Sequence, residues 1–297
     1  MEASLWQDGQ WRHGGDTSVP LNHIAFKYGA IIADRLRTVH GKPADVQPHV
    51  ERFAEGCRLV GIDVPPAIDE VIHQCAQRHR RHEPDRDFSI VLLGFPGLRE
   101  TSSGHVLVHT DPIDHRRLAR WYEEGHPLEV STYVSVPAHC WPHALKHRSR
   151  LNYFLADRQA IARFGSAANA VLVDEQQRLT ETSVANLLII EHDRIVSPPS
   201  ERILPGISLQ RTYRLARSLG IAWQEEPIEL ARAQAADAIL LCGSIGCLWH
   251  ASRLGEQTYP AARGNDIYHA LYRAWCRDLN LDYREHSLKI ARRQSSA

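Results

Sequence analysis

The period of apolar positions changes several times along this 297-residue chain. Residues 5–13 alternate around Asp8-Gly9 and predict a small hairpin. Ile24 to Val39 is rich in apolar residues and reads as a strand, closed by a turn at His40-Gly41-Lys42-Pro43. A helix follows, with Pro48 at its first position, Val50, Phe53, Ala54, Cys57 and Val60 on one side, and Gly61 at its end. A second helix starts near Pro66, runs through Ile68, Val71, Ile72 and Cys75, and finishes in the basic run 78–82, which suits a helix C-terminus. Phe88–Phe95 and His105–His109 read as strands. The polar stretch 112–125 reads as an interdomain linker. Beyond it, Leu128 to Val136 alternates as a strand. A helix is then expected to open with Lys146, since Leu151, Leu155, Ala156 and Ala160 recur at helical spacing. Strands at 169–174 and 186–191 flank a turn that carries a lone acid, Glu181. Leu204–Ser208 opens a further helix, with Ile207, Thr212, Leu215 and Ala216 inward and Gly220 as its stop. Ala238–Ser244 is a buried-looking strand, and Tyr268–Leu279 an amphipathic helix.

This length favours two domains, placed at 1–115 and 126–297 with 116–125 between them. The chain is 43% hydrophobic and 24% charged, an ordinary globular composition. Lys and Arg number 35, as do Asp and Glu, so no global charge invites nucleic acid or an anionic membrane. No leader-like start and no membrane-spanning apolar run is seen, and a cytoplasmic protein is expected. The six cysteines (57, 75, 140, 242, 247 and 276) are scattered without metal-ligand spacing and read as free thiols of a reducing compartment. His73, His79 and His82 read as the solvated face of a basic helix, and no metal site is expected. The polar tail from Lys289 to Ala297 is expected to fray.

The chemistry concentrates between Ala144 and Asn186. Alone, a lysine before a helix or a carboxylate at a strand end is an ordinary solvated charge. Together, and with the motifs downstream of them, they carry a pattern. The segment resembles the fold-type IV, pyridoxal-phosphate-dependent enzymes, the class IV aminotransferases. This family includes branched-chain and D-amino-acid aminotransferases and aminodeoxychorismate lyase. Lys146, Leu155-Ala156 and Ala160 match its lysine-plus-helix pattern, and Thr180, Glu181 and Asn186 match its Thr-Glu-x-x-x-x-Asn signature. The resemblance implies an α+β fold with a small N-terminal α/β domain and a larger, β-barrel-like C-terminal domain. It implies pyridoxal 5'-phosphate as cofactor, Lys146 as the catalytic residue that carries it as an internal aldimine, and Glu181 facing its ring nitrogen. These residue types suit the chemistry. Lysine forms the imine and can then move the substrate proton. A carboxylate keeps the ring nitrogen protonated, so the ring can accept electrons.

Further motifs extend the match. His49-Val50-Glu51-Arg52-Phe53 resembles the family's His-x-x-Arg-Leu, which assigns Arg52 to the cofactor phosphate. A helix start offers free N–H groups to a dianion, and Gly206, Ile207 and Ser208 stand at one. Gly243-Ser244 matches the family's Gly-Thr and adds a second hydroxyl. The substrate side departs from the family. Ala33-Asp34 replaces Phe-Glu after Tyr28-Gly29, Arg35 stands where small residues are typical, and Trp249-His250 replaces Thr-Pro. Arg35 and Arg37 lie two apart on one strand and share a face, so they are candidates, with Tyr28, for the substrate side. The resemblance implies an aminotransferase acting on an amino acid and a keto acid, built as a homodimer. The alternative is a lyase like aminodeoxychorismate lyase, releasing pyruvate and 4-aminobenzoate. The Lys146–Leu151 run looks most like that branch, whereas Arg35 replaces the small hydroxyl residue it tends to place there.

Overall fold

The computed structural model describes residues 4–13, 18–83, 86–97, 104–260 and 262–295. The chain divides into two compact units. One holds the residues up to Ile113 together with Ala144–Arg150, and the other holds Asp114–His143 and the residues from Leu151 onward.

The first unit opens with β1 (Ser4–Gln7) and β2 (Gln10–His13), the expected hairpin, with Trp6 opposite Trp11. The run from Ile24, expected as one strand, splits in two. Helix α1 (Ile24–Tyr28) comes first, because His23 Nδ1 accepts the Ala25 N–H at 3.0 Å and Gly29 turns the chain at φ +64°. Strand β3 (Ile32–Val39) follows, then β4 (Lys42–Pro43), α2 (Val46–Leu59), α3 (Ile68–His82), β5 (Phe88–Phe95) and β6 (His105–Pro112). The sheet order is β2-β1-β6-β5-β3-β4, antiparallel throughout. Leu36, Ile90, Leu92 and Val108 of the sheet form one core with Phe53 and Cys57 of α2 and Ile68, Ile72 and Cys75 of α3. Fully burying one such large side chain contributes about 1.5–3 kcal/mol. His73 and His82 are exposed, but His79 is not on the solvated face. It is buried 3.8 Å from the Phe88 ring, with Nδ1 2.9 Å from Thr110 Oγ1. Among the described residues no group of His, Cys, Asp or Glu is placed to hold a metal ion.

Residues 144–150 belong to this unit as an extended strip, not as the first turn of a helix. The Ala33 N–H donates to the Lys146 carbonyl and the Arg148 N–H to the Ile31 carbonyl, both at 2.9 Å, around an antiparallel bridge of Ile32 with His147. Ser149 Oγ donates to the Gly29 carbonyl at 2.8 Å. Lys146 is therefore held by backbone pairing to β3. The helix starts only at Leu151, where the apolar spacing itself starts.

In the second unit the expected linker is a helix, α4 (His115–Glu124). Asp114 caps it through the Arg117 N–H at 3.0 Å, and Leu118, Ala119, Trp121 and Tyr122 are buried at helical spacing. Then come β7 (His126–Val134), α5 (Leu151–Phe164), β8 (Asn169–Val173), β9 (Arg178–Thr182), β10 (Asn186–Glu191) and β11 (Arg194–Ser197). The chain continues through α6 (Ile207–Ser218), β12 (Ala222–Glu225), β13 (Ile228–Glu229), α7 (Leu230–Ala235), β14 (Ala238–Gly243), β15 (Cys247–Leu254) and β16 (Gln257–Thr258). It ends in α8 (Asp266–Leu279) and α9 (Tyr283–Ser295). Residues 289–295, expected to fray, are thus helical, and 296–297 lie outside the described residues. The strand path β10-β14-β15-β7-β8-β9 returns to β10 through the pair Glu181–Asn186, so six strands close into a ring. This is the barrel expected for the larger domain, and its closing pair contains the candidate acid. No described helix is long and apolar enough to cross a membrane.

The second unit buries a neutral histidine, His126. Trp249 Nε1–H donates to His126 Nδ1 at 3.0 Å, which leaves the Nε2–H to donate to Asn169 Oδ1, also at 3.0 Å. Burial, reinforced by the Arg117 charge, pushes the His126 pKa down to about 3. Unfolded, the ring titrates near pH 6.5. Below that pH the unfolded chain binds the extra proton and the folded one does not, so stability falls as pH drops from 6.5 towards 3, by up to about 5 kcal/mol. The urea midpoint of wild type is expected to fall between pH 7.5 and 4.5, and that of His126→Gln to fall less. An equal drop in both would assign the acid sensitivity to other groups.

Candidate active site

In the second unit the site is built at the corner where β9 turns into β10. Glu181 ends the apolar run of β9, and both of its oxygens are engaged. Oε1 accepts from Tyr153 Oη at 2.8 Å, and Oε2 accepts from Asn186 Nδ2 at 3.0 Å and the Leu204 N–H at 3.1 Å. Three donors around one carboxylate fix its orientation. Asn186 also donates to the Leu204 carbonyl at 2.9 Å, which pins the chain just ahead of α6. Gly206 is the residue before that helix, and a Cβ there would collide with Asn186 Oδ1. Helix α6 begins with no side chain capping its amides, and Ile207 and Ser208 are buried at its start. Gly243 is equally constrained, since a Cβ would come 2.7 Å from the Val184 carbonyl. It delivers Ser244 into the three-residue turn between β14 and β15. Thus Glu181, the α6 start and the Gly243-Ser244 turn, three separate stretches of sequence, meet at one corner.

In the first unit the extended strip ties Lys146 to Ala33, two residues from Arg35. Asp34 points the other way, towards α2. It accepts from Arg52 Nε at 2.8 Å and Nη2 at 2.9 Å and lies 2.7 Å from His49 Nδ1. Burial alone would raise the Asp34 pKa, but Arg52 and His49 outweigh it and hold the carboxyl far below the usual range. Arg52 is therefore fixed in orientation by a buried carboxylate. Arg35 and Arg37 share a face, as the strand period requires, but not their surroundings. Arg37 is 3% exposed, pairs with buried Asp87 at 4.0 Å and donates to the Thr38 carbonyl. Its guanidinium is thus enclosed within the first unit, unlike that of Arg35. Arg35 is partly exposed and donates through Nε to Ser89 Oγ at 2.9 Å and through Nη2 to Asp111 Oδ2 at 2.7 Å. The Tyr28 side chain is exposed, and its carbonyl accepts from Ser149 at 3.3 Å. His147, next to Lys146, has its pKa pushed down to about 4 by burial, Arg150 and Lys146.

Sequence reasoning missed Tyr153, which orients Glu181, and the Ser89 and Asp111 partners of Arg35. Tyr153 lies 28 residues from the acid it orients, and nothing local marks the link. Asp111 could have been found, since extending the His105–His109 alternation by two residues puts it on the face of His109.

A carboxylate held by three donors suits a protonated ring nitrogen, and an uncapped helix start with a serine suits a phosphate. The donor set therefore fits pyridoxal 5'-phosphate. A profile of the family described as amino-transferase class IV matches residues 32–254, and the chain belongs to that family. It is a pyridoxal-phosphate-dependent aminotransferase. The branched-chain-amino-acid aminotransferase of Escherichia coli is 21% identical over 252 residues, covering 81% of each chain. The solved structure of the Escherichia coli enzyme superposes with a TM-score of 0.82 at 20% identity, covering 92% of this chain and 93% of that one. An aminotransferase from Brucella abortus, solved with pyridoxal phosphate bound, gives 0.80 at 19% identity, covering 93% of this chain and 100% of that one.

Proposed function

We propose that this aminotransferase exchanges an amino group between an amino acid and a keto acid, with Lys146 as its cofactor-binding and proton-moving residue. When bound, pyridoxal phosphate supplies an aldehyde for the amine and a ring that accepts electrons. The chain supplies the rest. Glu181 holds the proton on the ring nitrogen, kept in place by Tyr153, Asn186 and the Leu204 amide. The amides at Gly206, Ile207 and Ser208, the turn at Gly243 and Ser244, and Arg52 hold the phosphate. Lys146 returns the proton to the substrate carbon, and Arg35 and Tyr28 serve the substrate side. The three-donor cradle of Glu181 carries this reading. A barrel-closing contact needs only the backbone pair, whereas this cradle aims a charge.

The reading is tested by mixing the holoenzyme with amino acids of both hands and following the absorbance change from the pyridoxal to the pyridoxamine form. At least one amino acid is expected to drive the change. If none does, while 4-aminobenzoate and pyruvate are released from aminodeoxychorismate, the enzyme is the lyase. We further propose a cytoplasmic homodimer. Leu21, Phe26 and Tyr28 are 76%, 61% and 70% exposed on the first unit, an apolar surface that a second copy could cover. All six cysteines are free thiols, as a reducing compartment allows. Sedimentation at working concentration is expected to give twice the chain mass, and cell fractionation to place the protein with soluble cytoplasmic markers.

A further inference from the structure

Trp249, one of the departures from the family's motifs, has no part in the cofactor and proton-transfer roles. It stands at the head of a hydrogen-bonded chain inside the second unit. Its indole N–H can only donate, so His126 Nδ1 accepts, at 3.0 Å. The ring hydrogen of neutral His126 is then on Nε2 and goes to Asn169 Oδ1, also at 3.0 Å. Arg117 Nη2 donates to that same oxygen at 2.8 Å. With its oxygen taken twice, the Asn169 amide turns its NH₂ to Ser183 Oγ at 3.0 Å. The Ser183 hydroxyl in turn donates to Asp157 Oδ2 at 2.6 Å. Asp157 Oδ1 accepts the Ala170 N–H at 3.0 Å, so both of its oxygens are engaged. Every donor points the same way, from β15 through β7 and β8 to α5. Trp249, His126 and Asn169 are buried, where such bonds strengthen one another.

The chain ends at the candidate site. Ser183 is two residues past Glu181, in the turn that joins β9 to β10. Asp157 and Tyr153 are four apart on α5 and share a face. Tyr153 holds Glu181 Oε1 at 2.8 Å, and Asp157 holds Ser183. One contact would leave the corner free to pivot against the helix, and two, a helical turn apart, do not. The turn itself needs no such help. Thr182 Oγ1 accepts the Ala185 N–H at 2.9 Å and donates to the Ala185 carbonyl at 3.0 Å, which closes it. A structural ion pair would set Arg117 against Asp157 directly, and here Asn169 and Ser183 stand between them.

We propose that Asp157 is a positioning residue for Glu181. Through Ser183 it locks the β9–β10 corner onto the helix that carries Tyr153, and Trp249, His126 and Asn169 set the direction of the Ser183 hydroxyl. This rests on the proposed role of Glu181 at the cofactor ring nitrogen. Asp157 touches neither cofactor nor substrate in this role. It acts by keeping the Glu181 carboxylate aimed.

The experiment reads the holoenzyme of Asp157→Asn in two ways. Asparagine has one oxygen and cannot accept from both Ser183 and Ala170, so the variant keeps the shape and gives up a bond. The first reading is hydrogen exchange in the peptide that contains Leu204, whose N–H donates to Glu181 Oε2. That exchange is expected to quicken about tenfold as the carboxylate loses its fixed place. The second is steady-state kinetics with the best amino acid from the screen, where kcat is expected to fall about tenfold and KM to stay within about twofold. Ser183→Ala removes the same link from the turn side and is expected to match, which keeps the test decisive where Asp157→Asn folds poorly. Added to Glu181→Gln, Asp157→Asn is expected to lower kcat by no more than about twofold further, because the residue it acts through is already lost. A lower melting temperature with kcat and Leu204 exchange unchanged overturns the proposal. So does a full loss that persists in the Glu181→Gln background. The role of Glu181 is judged separately. A slowed Glu181→Gln beside unchanged Asp157→Asn and Ser183→Ala sinks only this inference, whereas an unaltered kcat in Glu181→Gln itself sinks the role on which it rests.

Discussion

Lys146→Ala is expected to abolish the borohydride-trappable attachment of the cofactor and to lower turnover by about 10⁴-fold or more. Two losses combine. The residue that anchors the aldehyde is gone, and with it the proton carrier, whose positioned acid–base contribution alone is about 10²–10⁴-fold. The fold should survive. What ties residue 146 to β3 is its backbone carbonyl, accepting from Ala33, and alanine keeps that bond. Phosphate and ring contacts are assigned to other residues, so cofactor is expected to bind without the covalent link. The check is reduction with borohydride followed by peptide mapping, beside a thermal melt. Lys27, Lys42 and Lys289 are the other lysines of the chain, so a labelled peptide is easily assigned. Trapping at any of them in wild type would remove Lys146 from its role.

The sequence was a good guide where a local period carried the information and a poor one where a distant strand did. Helices α2 and α3 were legible because Phe53, Cys57, Ile72 and Cys75 repeat on one face and meet one core. The Lys146 strip was not. Residues 146–150 are polar and sit before a helical pattern, so they read as its first turn. Their conformation is set by β3, more than a hundred residues earlier, and no local pattern records that pairing. Ile24, Phe26 and Tyr28 alternate as a strand would, yet a histidine cap and Gly29 make the segment a short helix. The linker was misjudged because its charges hid Leu118, Ala119, Trp121 and Tyr122. At the site, Glu181, Gly206 and Gly243 could be picked out because each has a motif. What makes them work together, Asn186 bridging Glu181 to Leu204, is visible only in three dimensions. Arg37 shows the limit of strand parity, which gives the face of a residue but not its depth.

Glu181→Gln is the second large effect expected. The substitution removes the charge and keeps the shape. Its amide oxygen can still accept from Asn186 and the Leu204 N–H, and its NH₂ can donate to Tyr153, whose hydroxyl can also accept. The barrel corner should stay closed, because the strand pair Glu181–Asn186 is made by backbone. What is lost is the anion. In the proposed function Glu181 keeps a proton on the cofactor ring nitrogen, and an amide cannot do that. Losing one charge-assisted contact of this kind costs about 2–3 kcal/mol, or roughly 30- to 150-fold in kcat/KM. The loss should fall on kcat, since the proton matters most when electrons move into the ring. Cofactor affinity should fall less, because the phosphate contacts do not involve residue 181. The measurement is steady-state kinetics with the best amino acid from the screen, alongside a cofactor titration and a melt. Full cofactor occupancy and an unaltered kcat in the variant would reduce the three-donor cradle to a structural brace of the barrel corner.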